Sequence, residues 1–231
     1  MNAHWIDIAT PGAQGLTGYL SLPPTGKGPG IVLIQEIWGV NEHIRAVADQ
    51  YAMDGYVVLA PDVFWRLEAR VDLGYDQAGS EKAFGLLQTV DLAQAALDVA
   101  SAVDALRSRP EVSGKIATLG FCMGGQLAYR AAATGKPDAA VAYYGGGIQN
   151  NLDVADKITQ PILFHYAELD GFIPQTAVAD VKAKFAGRAN ARFFDYAAAD
   201  HGFNCWRRPS YNQRSAALAR GRTLQFLAEH L

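Results

Sequence analysis

Short apolar runs alternate with longer amphipathic runs along most of this chain, and no other feature limits the fold as strongly. The runs "GIVLIQE" (30–36), "YVVLAPD" (56–62), "KIATLGF" (115–121), "DAAVAYYG" (138–145) and "PILFHYAE" (161–168) are short and rich in branched or aromatic residues. They are apolar on both faces, as parallel strands covered on both sides must be. Between them, residues 43–53 carry Ile44, Val47, Ala48 and Tyr51 at helical spacing. Residues 91–107 do the same with Leu92, Ala95, Ala96, Val99, Val103 and Leu106, and 123–134, 175–186 and about 211–230 complete the helices. This predicts an α/β fold: a mostly parallel, doubly wound central sheet with right-handed crossovers and helices on both faces. Segments 4–9 and 16–22 predict an antiparallel edge hairpin. At 231 residues, a single domain over 1–231 is expected, with a core large enough to need no disulfide.

Composition narrows the function classes. The formal net charge is −3. A chain without basic excess offers no footprint for nucleic acid or an anionic membrane. Two cysteines, Cys122 and Cys205, make no disulfide framework and suit a reducing compartment. "MNAHWIDIATPGAQG" has no basic-then-apolar leader, and no apolar run approaches the roughly 18 residues of a membrane span. A cytoplasmic protein is expected. No H-E-x-x-H or C-x-x-C occurs, so neither a metal nor another cofactor is expected. "YYGGG" (143–147) reads as a turn. Residues 63–80 have mixed polarity and no period; lying after a strand's carboxyl end, they are expected to form a pocket wall.

The stretch "GFCMGG" (120–125) joins a strand pattern to a helix pattern. A sharp strand–nucleophile–helix turn exposes a nucleophile at the cost of backbone strain, and its neighbours must be small. Gly120, Gly124 and Gly125 meet that need around Cys122. The helix opening at Met123 aims free N–H groups and a positive dipole end at the sulfur, which favours a thiolate. By itself a G-x-C-x-G stretch also fits a buried structural cysteine. The wider order of residues favours chemistry. Asp170 follows one later strand in "AELDGFIP", and His201 follows another, "ARFFDY", in "AAADHGFN". Nucleophile, acid and histidine then stand in the chain order of α/β-hydrolases. Asp200 adjoins His201 and cannot readily orient its ring. Of the other histidines, His165 lies inside an apolar strand and reads as a hydrogen-bonded core residue.

"IVLIQEIWGVN" (31–41), "GYVVLAPDVF" (55–64), "GKIATLGFCMGG" (114–125), "AVAYYGGG" (140–147), "LDGFIP" (169–174) and "DHGF" (200–203) together resemble the dienelactone hydrolase (carboxymethylenebutenolidase) family of α/β-hydrolases. The resemblance implies a cofactor-independent hydrolase of small lactones or esters, working as a monomer. It also implies that Glu36 governs the protonation and orientation of the Cys122 thiol. Backbone amides of Ile37 and Met123 would form the oxyanion hole. Trp38, Phe84, Tyr144 and Phe172 match positions that line the family's pocket.

One departure bears on substrate. Family members that act on dienelactone hold its carboxylate with two arginines, and the matching positions here are Ser80 and Cys205. Neither replaces a bidentate guanidinium. Arg66, Arg70, Arg207 and Arg208 lie nearby in sequence, and Arg207 and Arg208 are the expected substrate contacts. The competing reading is a small-ligand binding or sensing protein on the same fold.

Overall fold

In the computed structural model of the chain, residues 2–8, 12 and 14–231 are described. The expected leader-free N-terminus and the end of the first strand fall partly on residues 1, 9–11 and 13, outside the described residues. The strands are β1 (Asn2–Asp7), β2 (Thr17–Leu22), β3 (Gly28–Ile34), β4 (Val57–Pro61), β5 (Val112–Phe121), β6 (Ala139–Tyr143), β7 (Ile162–Ala167) and β8 (Ala191–Tyr196). The helices are α1 (Glu42–Met53), α2 (Gln77–Thr89), α3 (Leu92–Arg107), α4 (Met123–Ala132), α5 (Gln175–Lys184) and α6 (Gln213–His230), with a 3-10 segment at Ile148–Lys157.

All eight strands join one sheet in the order β1-β2-β4-β3-β5-β6-β7-β8. β1 and β2 form the expected antiparallel edge, with Asn2 opposite Leu22, and β2 runs antiparallel to β4. Every pairing from β4 through β8 is parallel. This is the α/β-hydrolase fold. Burial follows position: β4, β6 and β7 are buried at every residue, whereas edge strand β1 alternates between exposed and half-buried. Along β3 the period of two divides the core. Ile31 and Leu33 pack with Ile44, Val47 and Tyr51 of α1 and Phe226 of α6. Val32 and Ile34 face the other way, onto Val99 and Val103 of α3 and Leu127 of α4. His165 is the core histidine expected: Nδ1 pairs with the Tyr196 hydroxyl at 2.7 Å and Nε2 with Thr223 Oγ1 at 3.0 Å. No described helix is long and apolar enough to cross a membrane.

Side-chain caps fix several helix starts. Asn41 accepts from the Ile44 amide, Asp91 from Ala93 and Gln94, and Asn212 from Ser215. The structure departs from expectation at α2. Residues 77–80 are its first turn rather than loop, and the helix runs on to Thr89, where no element was expected. The reason is visible in its burial. Only Gly79 and Ala83 are buried, so α2 lacks the apolar stripe that marks a core helix. Phe84 and Leu87 instead face a pocket. The signal that does exist is its cap: Asp76 accepts from the Gly79 amide at 2.8 Å.

Candidate active site

The carboxyl ends of β3, β5, β7 and β8 open on one edge of the sheet, where ligands bind in open α/β folds. Cys122 stands between β5 and α4 with φ 56° and ψ −119°, a backbone conformation costly for any residue but glycine. Its amide donates to the Tyr143 carbonyl at 3.0 Å, which ties the turn to β6. The glycines around it are steric necessities. A Cβ on Gly120 would lie 1.9 Å from the Gly124 carbonyl oxygen, one on Gly124 would lie 2.4 Å from that of Ile34, and one on Gly125 would lie 2.6 Å from that of Tyr143. All three obstacles are backbone and cannot swing aside. Gly120→Ala is therefore expected to destabilise the fold by about 1–3 kcal/mol, the usual cost of overpacking. Urea unfolding measures it, and an unchanged midpoint would show that the turn relaxes freely.

His201 Nδ1 pairs with Asp170 Oδ2 at 2.8 Å, and both side chains are almost fully buried. The other Asp170 oxygen, Oδ1, accepts from the amides of Phe172 at 2.9 Å and Ile173 at 3.0 Å. The carboxylate is thus locked by its own loop before it meets the ring. Asp200 is engaged elsewhere, accepting from the His201 amide at 2.6 Å and the Gly171 amide at 3.4 Å. Burial pushes the His201 imidazole down. With Cys122 as a thiolate, its charge, followed by hydrogen bonding to Asp170, outweighs burial and lifts the pKa from 6.5 to about 10.

Glu36, just past β3, is 1% exposed. Its Oε1 accepts from Arg208 Nη1 at 3.1 Å, and its Oε2 from the Tyr75 hydroxyl at 3.4 Å. Burial raises the carboxyl above its ordinary range, and the Arg208 charge opposes the rise. Arg208 also lies over Trp38, its guanidinium carbon 4.9 Å from the ring centroid.

Cys122, His201 and Arg208 line one cavity of about 380 Å³. That volume suits a small molecule. Phe84, Leu87, Leu92 and Phe172 make its walls largely apolar. Ile37 and Met123 line it together with Cys122, and neither amide has a backbone partner among the described residues. Two free N–H groups near a sulfur can hold an oxyanion, and a histidine oriented by a carboxylate can move a proton.

The dienelactone hydrolase family profile matches residues 16–231. The chain belongs to that family. It is 32% identical over 224 residues to a carboxymethylenebutenolidase of Pseudomonas sp. (strain P51), covering 96% of this chain and 93% of that one. A carboxymethylenebutenolidase of Pseudomonas putida is 33% identical over 207 residues, covering 89% and 88%. A crystal structure named for a dienelactone hydrolase of Klebsiella pneumoniae superposes with TM-score 0.85 at 29% identity, covering 99% of each chain. Membership of the dienelactone hydrolase family makes this chain a hydrolase acting on ester or lactone bonds.

Against the family pattern, the structure sorts the arginines. Arg66 is spent on Asp98, with two contacts of 2.9 Å, and Arg70 lies over Trp5. Arg207, expected at the substrate, is largely exposed, lies 3.5 Å from Glu42 and lines a different cleft. Among the described residues, Arg208 is the one arginine or lysine lining the Cys122 cavity, beside His201. Ser80 accepts from Trp38 Nε1 at 3.4 Å, and Cys205 is fully buried. Trp38, Phe84 and Phe172 line the cavity. Tyr144 does not reach its surface; it is fully buried, with its ring centroid 5.1 Å from that of His201.

Sequence reasoning missed Tyr75, Leu87 and Leu92. Tyr75 belongs to the stretch expected as pocket wall, and its ring packs tilted at 45° against Trp38, the centroids 4.8 Å apart. It reaches Glu36 because Leu73 donates to the Trp38 carbonyl at 3.0 Å, a tertiary contact with no sequence signature.

Proposed function

We propose that this protein opens small lactones or esters through a Cys122–His201–Asp170 triad and a thioester intermediate. The observation that carries the reading is the placement of a strained, cavity-lining cysteine beside a histidine whose Nδ1 is fixed 2.8 Å from a buried carboxylate. The Cys122 thiolate attacks the carbonyl carbon, and the developing oxyanion is held by the Ile37 and Met123 amides. The C–O bond breaks, and protonated His201 gives its proton to the leaving oxygen. His201 then takes a proton from water, whose hydroxyl attacks the thioester; the C–S bond breaks and frees the acid and the Cys122 thiolate. Asp170 holds the ring so that Nε2 does this work.

Glu36 supplies control. In the described arrangement it is paired with Arg208 rather than with the thiol. A substrate carboxylate that draws on Arg208 loosens that pair and leaves Glu36 free to accept the Cys122 proton. The resting thiol is then activated by the ligand it will attack. With Ser80 and Cys205 at the other expected anchor positions, a single guanidinium is left for a carboxylate. The apolar walls supply the remaining affinity, so the substrate class is a small, mostly apolar lactone or ester carrying at most one acid group.

The test is hydrolysis of dienelactone beside a neutral ester of similar size, with Arg208→Ala as the variant. A charge-assisted hydrogen bond contributes about 1.5–3 kcal/mol. The variant is therefore expected to lose roughly tenfold to a hundredfold in kcat/KM on dienelactone, and clearly less on the neutral ester. Equal losses on both would remove the carboxylate role of Arg208. No cysteine-dependent turnover of either substrate by a folded protein would remove the hydrolytic reading.

A further inference from the structure

Cys205 takes no part in the reaction above, and neither does His43. The fold nevertheless brings both to Glu36. The Cys205 sulfur, one His43 nitrogen and one Glu36 oxygen all lie within 4.8 Å of one another, and all three residues are buried. His43 is 2% exposed, and its Nδ1 is buried without a hydrogen-bond partner among the described residues. Such a group is rarely left idle in a folded protein. Thiolate, imidazole and carboxylate are the donor types of zinc sites. Bonded tetrahedrally at zinc distances, three such atoms stand about 3.5 Å apart, so a modest contraction closes the set.

A path from solvent is also present. A separate cleft, lined by His43 and Tyr75, carries Glu42, Asp72 and Asp76 around it, with Arg207 at the same mouth close to Glu42. Asp72 is paired with Arg45 and Glu42 with Arg207, so the entrance keeps a net negative charge through Asp76. A Cys205 thiolate and a Glu36 carboxylate match the two positive charges of the ion, and the Arg208 guanidinium beside Glu36 is left over.

We propose that Glu36, His43 and Cys205 form a binding site for a thiophilic divalent cation of the zinc class, and that its occupancy silences Cys122. On binding, the Cys205 S–H bond breaks, a sulfur–metal bond forms, and the proton leaves to solvent; no electron is transferred. A Glu36 oxygen goes to the metal, and a water molecule completes the tetrahedron. Glu36 is then no longer a base for the Cys122 thiol. The silencing rests on the control role given to Glu36 above, whereas the site itself does not.

Cadmium(II) alone is the probe, titrated into Cys122→Ala, in which Cys205 is the only thiol left in the chain. The expected result is a sulfur-to-cadmium charge-transfer absorption that saturates at one equivalent. It is lost in Cys122→Ala/Cys205→Ser and weakened about tenfold or more in Cys122→Ala/His43→Gln. Absence of the band, or full affinity without His43, overturns the site. Zinc(II) is further expected to raise the Tm of Cys122→Ala and not that of Cys122→Ala/Cys205→Ser, a readout independent of turnover. Silencing is read separately, with Cys122 in place. Zinc is expected to inhibit Cys205→Ser only at concentrations about tenfold or more above those that inhibit the unmodified enzyme. Equal sensitivity would place inhibition at Cys122 itself and overturn the silencing. If the protein turns over no ester at all, the hydrolytic reading falls, while the cadmium and Tm results still decide the site.

Discussion

Cys122→Ala is expected to lower kcat on any ester or lactone substrate by roughly 10⁴- to 10⁶-fold while leaving the protein folded. Removing the nucleophile of a triad leaves only what binding and the oxyanion donors supply. The fold should tolerate the change, because alanine is smaller than cysteine and the strained φ of 56° is imposed by the turn. The variant also tests the electrostatics. The Cys122 charge is the largest influence raising His201 to about 10, so without the sulfur the His201 pKa is expected to fall toward its ordinary 6.5. NMR titration of the imidazole measures this directly. On the unmodified enzyme, intact-mass measurement during turnover of a slow ester is expected to show an acyl adduct on Cys122. Turnover by Cys122→Ala within tenfold of the unmodified enzyme would overturn the assignment, whatever the family membership.

The same proton links activity to stability. With Cys122 as a thiolate, His201 binds it more tightly in the folded protein than in the unfolded chain, where the pKa is near 6.5. Its contribution to stability is therefore fully present below 6.5 and is lost as pH rises toward about 10. In Cys122→Ala much of that dependence disappears, because the sulfur that raised the pKa is gone.

What could be read from the sequence is what local geometry dictates. The elbow was legible because a strand–Cys–helix turn needs glycines where "GFCMGG" has them, and each glycine does meet backbone within 2.6 Å. Asp170 and His201 were legible because a parallel sheet delivers every strand's carboxyl end to one edge, so chain order becomes spatial neighbourhood. Helix α2 was not legible, since its apolar residues serve a pocket and not the core. Nor was the choice between Arg207 and Arg208. One residue of register decides which side chain turns in toward Glu36 and which stays at the surface beside Glu42. The Glu36–His43–Cys205 cluster lay further out of reach. It joins residues more than 160 positions apart, and the expectation of no metal rested on ligands spaced closely in one segment.

Asp170→Asn puts the orienting role to the hardest test, because it preserves shape and removes only charge and acceptor symmetry. In the protein, Oδ1 is already claimed by the Phe172 and Ile173 amides. An asparagine must keep its one carbonyl oxygen there, since its NH₂ cannot accept from those amides. The NH₂ then faces His201 Nδ1, where Oδ2 now stands at 2.8 Å. A donor in that place requires Nδ1 to be unprotonated and puts the ring proton on Nε2. That tautomer cannot take a proton from the thiol or from water through Nε2, and the imidazolium loses its carboxylate. The expected fall in kcat is about 10⁴-fold, with KM little changed and the Tm within a few degrees. Since hydrogen bonding to Asp170 and its charge both raise His201, the imidazole pKa should drop below about 10. The alkaline limb of the residual kcat/KM profile moves down with it. Reversing the roles separates orientation from simple packing: Asp170→Glu keeps the charge but displaces it by one methylene, and should recover part of the raised His201 pKa while recovering little activity. If Asp170→Asn instead retained activity within tenfold, the carboxylate would be a loop brace for Phe172 and Ile173, and the proton chemistry would rest on Cys122 and His201 alone.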